Sequence, residues 1–76
     1  MAELLEYLAR QLVDEPDAVR VERVDEADAV VLRLHVAQDD LGKVIGRQGR
    51  IARALRTVVR AGGAHGSRRT LLEIVD

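Results

Sequence analysis

The sequence predicts an α+β domain in which helices cover one face of a three-stranded sheet. Two observations carry that expectation. The apolar spacing is helical at the start, alternates through the middle, and turns helical again before a last alternating stretch, in the order helix, strand, strand, helix, helix, strand. The chain has 76 residues, which suffices for one core and not for two, so residues 1–76 are read as a single domain. That core is aliphatic: there is no Phe or Trp, Tyr7 is the sole aromatic, and ten of the apolar residues are Ala.

The first helix spans about residues 2 to 13, because Leu4, Leu5, Leu8 and Leu12 share an arc of about 100° on a helical wheel. Pro16, the only proline, breaks it. Ala18 to Val24 is rich in Val, and Ala29 to Ala37 sets Val30, Leu32, Leu34 and Val36 at period two; both read as strands. The short acidic link Asp25–Asp28 makes them an antiparallel hairpin. Asp39-Asp40 supplies an N-cap for a short helix through Leu41, Val44 and Ile45, which stops at Gly46. A further helix starts near Gly49. On its wheel Ile51, Ala52, Leu55, Val58 and Val59 occupy the core side, and Arg53, Arg56 and Arg60 form a continuous basic stripe beside them. Gly62-Gly63 caps it, and the loop Ala64–Ser67 leads to a last strand through Thr70, Leu72 and Ile74.

The net charge of −1 hides a division along the chain. Residues 1–40 hold eleven acids and four bases, a charge of −7; residues 41–76 hold eight bases and two acids, a charge of +6. No acid occurs between Leu41 and Leu72. The second half therefore suits a polyanion, or else the two charged faces serve solubility. With no Cys there is neither a disulfide frame nor a thiolate nucleophile, and the apolar runs are too short to span a membrane. The acidic start at Glu3 and Glu6 is unlike a signal peptide, so a cytoplasmic location is the simplest expectation.

The segment Gly42-Lys43-Val44-Ile45-Gly46-Arg47-Gln48-Gly49-Arg50 carries the chemistry. Glycines at both ends of a two-residue linker remove the Cβ atoms that would hold a sugar-phosphate backbone off the main chain, and they permit positive φ. The linker opens into a helix N-terminus, whose free N–H groups favour phosphate. Lys43, Arg47 and Arg50 add charge, and the three together predict a log–log salt slope of about −2 for a single strand. The alternative is that Gly46 is only a helix C-cap. A second Gly-x-x-Gly, Gly63-Ala64-His65-Gly66, leads into a strand and has no cation stripe beside it.

These residues resemble a known family. Val44-Ile45-Gly46-Arg47-Gln48-Gly49, with a helix on each side, looks like the signature of the KH domain, which clamps about four nucleotides of single-stranded RNA or DNA. The leading helix and hairpin are similar to the bacterial type II arrangement, which implies a three-stranded mixed sheet. Residues 42–56 resemble the small stand-alone bacterial KH proteins of the KhpA family. The resemblance implies single-stranded RNA as partner, with Gly46, Arg47, Gln48 and Gly49 on its backbone, and Ile45 and Leu34 presenting apolar surface to bases. It also implies a role as RNA chaperone or post-transcriptional regulator, and a homodimer or a heterodimer with a larger KH-containing protein, for which the surface around Val59 to Ala61 is the candidate. Ala52 departs from the larger aliphatic residue of many KH domains, thinning the apolar floor of the groove. Without aromatic stacking, binding is expected to be weak and sequence-tolerant.

The remaining features have plainer readings. The stripe Arg53, Arg56, Arg60 has no acid at i+3 or i+4, which favours polyanion contact or steering over a solvated face or pairing with the acidic half. His35 is a half-exposed strand residue, and His35 with His65 makes no metal site. The glycine spacing is neither a P-loop nor a dinucleotide fingerprint, and no nucleophile, base and orienter stand together, so neither an enzyme nor a cofactor nor a small-molecule substrate is expected. Two alternatives stay open: a protein-interaction or dimerisation module whose Gly-x-x-Gly turn is structural, and a helix-hairpin-helix grip on duplex DNA.

Overall fold

In the computed structural model, residues 1–62 and 68–76 are described. The loop expected at Ala64–Ser67, Gly63 of the expected cap, the second Gly-x-x-Gly and His65 lie outside the described residues. Helix α1 spans Ala2–Leu12, strand β1 Arg20–Asp25, strand β2 Ala29–His35, helix α2 Leu41–Ile45, helix α3 Arg50–Gly62 and strand β3 Arg69–Val75. The sheet order is β1-β2-β3, with β1 and β2 antiparallel and β2 and β3 parallel. The predicted α+β class, with helices over one face of a mixed sheet, is the fold observed.

Boundaries move where turns compete with strands. Pro16–Ala18 closes a 3-10 turn in which the Val19 N–H donates to the Pro16 carbonyl at 3.1 Å, so β1 starts at Arg20 rather than Ala18. β2 ends at His35 instead of Ala37, because the chain rises into a second 3-10 turn at Gln38–Asp40.

The strand pairings put Val21, Leu34 and Ile74 in one row and Leu32 and Leu72 in the next, facing the helices. Leu5 and Ala9 of α1, Val44 of α2, and Leu55 and Val59 of α3 close over them. Alternation sends the next residues to the open face, where Arg33 lies between Glu22 and Glu73, at 3.6 and 3.4 Å from their carboxylates. His35 is half-buried there, 3.2 Å from Glu22.

Two helices leave part of their expected apolar faces exposed. On α1 Leu5 and Ala9 are buried and Leu8 packs against the core, while Leu4 and Leu12 stay exposed. On α3, Val58 is exposed and Val59 is only 1% exposed. Val59 is therefore a core residue and offers no surface to a partner, which removes it from the dimer surface expected at Val59 to Ala61, where Arg60 and Ala61 are exposed. Ala52, like Val59, is buried.

Asp40 was expected to cap α2. It occupies that position but makes no side-chain cap hydrogen bond. Its carboxylate, with the residue 2% exposed, turns inward and accepts the Glu15 N–H at 3.0 Å.

Candidate nucleic-acid interface

Helix α2 ends because Gly46 leaves helical space, at φ 76° and ψ 171°, a region open in practice to glycine alone. Its N–H still donates to the Gly42 carbonyl at 2.8 Å, closing the last turn. Arg47–Gly49 then makes one 3-10 turn, with the Gly49 N–H on the Gly46 carbonyl at 3.1 Å. Gln48 sits at φ 57° and Gly49 at φ 73°. Three of four consecutive residues thus have positive φ, which turns the chain sharply from α2 into α3.

The two glycines differ in what they require. A Cβ on Gly46 would lie 2.7 Å from Ile51 Cγ1 and 2.9 Å from the Ile51 nitrogen, so the start of α3 packs directly on the bare Cα. A Cβ on Gly49 would meet nothing within 4 Å. Gly46 therefore serves close approach and conformation together, and Gly49 conformation alone, with its outer side open.

The loop is braced from α3. Arg53 Nη2 donates to the Gln48 carbonyl at 3.0 Å, holding the left-handed residue in place, and Arg50 Nη2 reaches the Gln48 side-chain oxygen at 3.5 Å. Arg47 is exposed and has no ion pair among the described residues. Ile45 is 39% exposed beside the loop. The structure thus brings Ile45, Gly46, Arg47, Gln48, Gly49, Arg50 and Arg53 to one surface.

Two expected members are elsewhere. Leu34 is 0% exposed, because the alternation of β2 that places it beside Val21 and Ile74 also puts it beneath the helices. It has no surface to present to a base, which corrects its expected role. Lys43 turns toward the linker after α1, with Nζ at 2.8 Å from Asp14 and 3.5 Å from Asp40. The Asp14 carboxylate, by hydrogen bond and charge, raises the Lys43 pKa above its ordinary value, with a smaller contribution from Asp40.

Sequence reasoning missed three residues. Ile51 lies against Gly46, and only the turn geometry brings them together. Ile74, partly buried, flanks Leu34 through the parallel β2–β3 register, a pairing that strand periodicity does not specify. Asp40 was recognised as acidic at a helix start, but its partner Glu15 is distant in sequence. Among the described residues no group of three His, Cys, Asp or Glu is placed to hold a metal ion, and no helix is long and apolar enough to cross a membrane.

Comparison with known proteins identifies the family. The family model described as KhpA/KhpB, KH domain, matches residues 2–74. RNA-binding protein KhpA of Clostridium acetobutylicum is 48% identical over 75 residues, 99% of this chain and 100% of its own. The protein of the same name from Halalkalibacterium halodurans is 49% identical over 76 residues, covering both chains fully, and that of Bacillus subtilis is 43% identical over 76 residues, covering 94% of its own length. No solved structure matches the chain. A mixed three-stranded sheet with three helices, a glycine-bounded turn between the second and third, and a match over nearly the whole length lead to one conclusion: the chain belongs to the KhpA/KhpB family of KH domains and has the type II KH fold.

Proposed function

We propose that this protein binds single-stranded RNA, without catalysis, through the loop Gly46-Arg47-Gln48-Gly49. The observation that carries the reading is the loop itself: a turn bare of side chain at both ends, opening into the N-terminus of a thirteen-residue helix, with exposed arginines on either side of Gly49. A phosphate over the turn meets the first N–H groups of α3, and Arg47 and Arg50 neutralise it. Ile45 supplies the adjacent apolar contact for a base. The name shared by the relatives of this chain, RNA-binding protein, supports the same reading.

Contacts of this kind read backbone and shape, so one domain binds weakly and tolerates many sequences. That suits an RNA chaperone or post-transcriptional regulator acting on many transcripts. Pairing with a second copy, or with a larger KH-containing protein, would add affinity by joining two weak sites. The exposed residues Val58 and Ala61, and not Val59, would face such a partner.

The test is the double variant Arg47→Asp, Gln48→Asp. Asp is among the residues that tolerate positive φ, and it is favourable near a helix N-terminus, so folding is expected to survive. Circular dichroism and melting should match the parent while affinity for a single-stranded oligonucleotide falls by more than tenfold. Unchanged affinity would leave the turn a structural cap and favour a protein-interaction module.

A further inference from the structure

Arg53 braces the four-residue loop, but Arg56 and Arg60, which continue its row along α3, make no hydrogen bond to the loop among those described. Arg53, Arg56 and Arg60 are all exposed, and none is ion-paired to a described residue. Elsewhere among the described residues Arg10, Arg23, Arg33, Lys43 and Arg68 have a carboxylate at 2.7 to 3.4 Å. Arg20 and Arg69 are exposed strand residues that, like the row, have no salt bridge to a described residue, but they do not adjoin the loop in sequence. The row begins on the loop, because Arg53 donates to the Gln48 carbonyl. From there to Arg60 it runs about 10 Å along the helix at 1.5 Å per residue.

Resting on the RNA-binding reading above, we propose that Arg56 and Arg60 continue the phosphate path of the loop, with Arg53 as the joint, so that the bound strand extends by about two phosphates beyond the nucleotides held at the turn. Three properties favour a phosphate backbone over an acidic protein. The stripe is continuous with the loop through Arg53. Its members are all arginine, whose planar fork suits phosphate oxygens. Like charges one turn apart on a helix repel unless an anion lies along them, and a single strand supplies anions in a row. Arg53 has a different task from its neighbours: its guanidinium already holds the Gln48 carbonyl, so it positions the loop where Arg56 and Arg60 are free to take new partners.

The experiment measures binding of oligouridylates of four and eight nucleotides against salt, for the parent, Arg56→Gln/Arg60→Gln and Arg56→Lys/Arg60→Lys. Slopes are compared because a longer strand gains affinity from extra registers alone. In the parent, the log–log slope should steepen by about 1.4 from the short to the long strand, as two further phosphates at about 0.7 each require. In the Gln variant the two slopes should coincide, with four-nucleotide affinity unchanged; in the Lys variant the steepening should return. A Gln variant that keeps the full steepening overturns the extended path. So does one that loses affinity equally for both lengths, which would mark the arginines as long-range steering. Loss of self-association on sedimentation, with the steepening intact, would assign the stripe to a second copy and overturn it as well. A parent that binds neither length would overturn the RNA-binding reading itself, a result separate from all of these.

Discussion

The Asp40 carboxylate accepts the backbone N–H of Glu15 at 3.0 Å, across 25 residues of sequence. It pins the linker after α1 to the residue that opens α2, and Lys43, one turn further on, closes the same junction by bridging Asp14 and Asp40. The glycine turn thus hangs from a helix whose base is tied to the first third of the chain.

Acid should loosen that junction. Burial acts to raise the Asp40 pKa, but the Glu15 and Asp14 amides and the Lys43 ammonium outweigh it and hold the carboxyl below its ordinary value. A depressed folded-state pKa gives stability that is fully present above about pH 3.9 and is lost as pH falls through the lower folded value. Asp40→Asn keeps an acceptor for Glu15 and removes the titration. It should lower the urea midpoint at pH 7 and flatten the acid limb of stability below about pH 4; an acid limb as steep as the parent's would show that Asp40 does not drive it.

Lys43 should act on stability and leave phosphate contact to its neighbours. With Arg47 and Arg50 as the two neutralising groups at the loop, a four-nucleotide strand should show a salt slope near −1.4, shallower than the −2 that counting Lys43 would give. Lys43→Gln should reduce the melting temperature and leave that slope in place. A slope reduced by about 0.7 in the variant would return Lys43 to the phosphate site.

The two loop glycines should respond unequally to alanine. At Gly49 the substitution meets open space and costs about 1 to 2 kcal/mol for positive φ. At Gly46 the same change adds a collision with the backbone and side chain of Ile51, a further 1 to 3 kcal/mol or so. Chemical denaturation of Gly46→Ala and Gly49→Ala gives the order directly. Gly49→Asn, which tolerates left-handed backbone, should recover much of the loss.

Leu34 and Ile45 should separate folding from binding. Leu34→Ala opens a cavity beneath the helices and should cost about 2 to 5 kcal/mol. Ile45→Ala removes a side chain that is already partly exposed, so it should lower stability little and weaken RNA affinity. Denaturant titration and fluorescence anisotropy on both variants check the pair.

Much of this was legible in the sequence, for physical reasons. The helix–turn–helix around Gly46 is local: glycine placement, the apolar stripe of α3 and its arginines all lie within about five turns of helix. Face assignment was less secure where a helix carries more apolar residues than it buries, as with Leu4 and Leu12 against Ala9. Leu34 lies on the apolar face that its alternation gives it, but alternation does not say whether a helix covers that position or leaves it open to a groove. The ion pairing of Lys43 is not legible because the shorter of its two pairs is not local: Asp40 is three residues away, but Asp14 lies 29 positions away.

The parallel pairing of β2 with β3 has a consequence for how the binding loop comes to exist. α2, the turn and α3 form the connection between two neighbouring parallel strands, Ala29 pairing with Arg69 and His35 with Val75. Closing that connection is a long-range event, slow to nucleate compared with a hairpin. The loop, braced locally from α3, thus lies in a crossover that is complete only when the last seven-residue strand has docked. A ligand that grips the turn should then slow amide exchange along β3, at the far end of the chain from anything it touches in sequence.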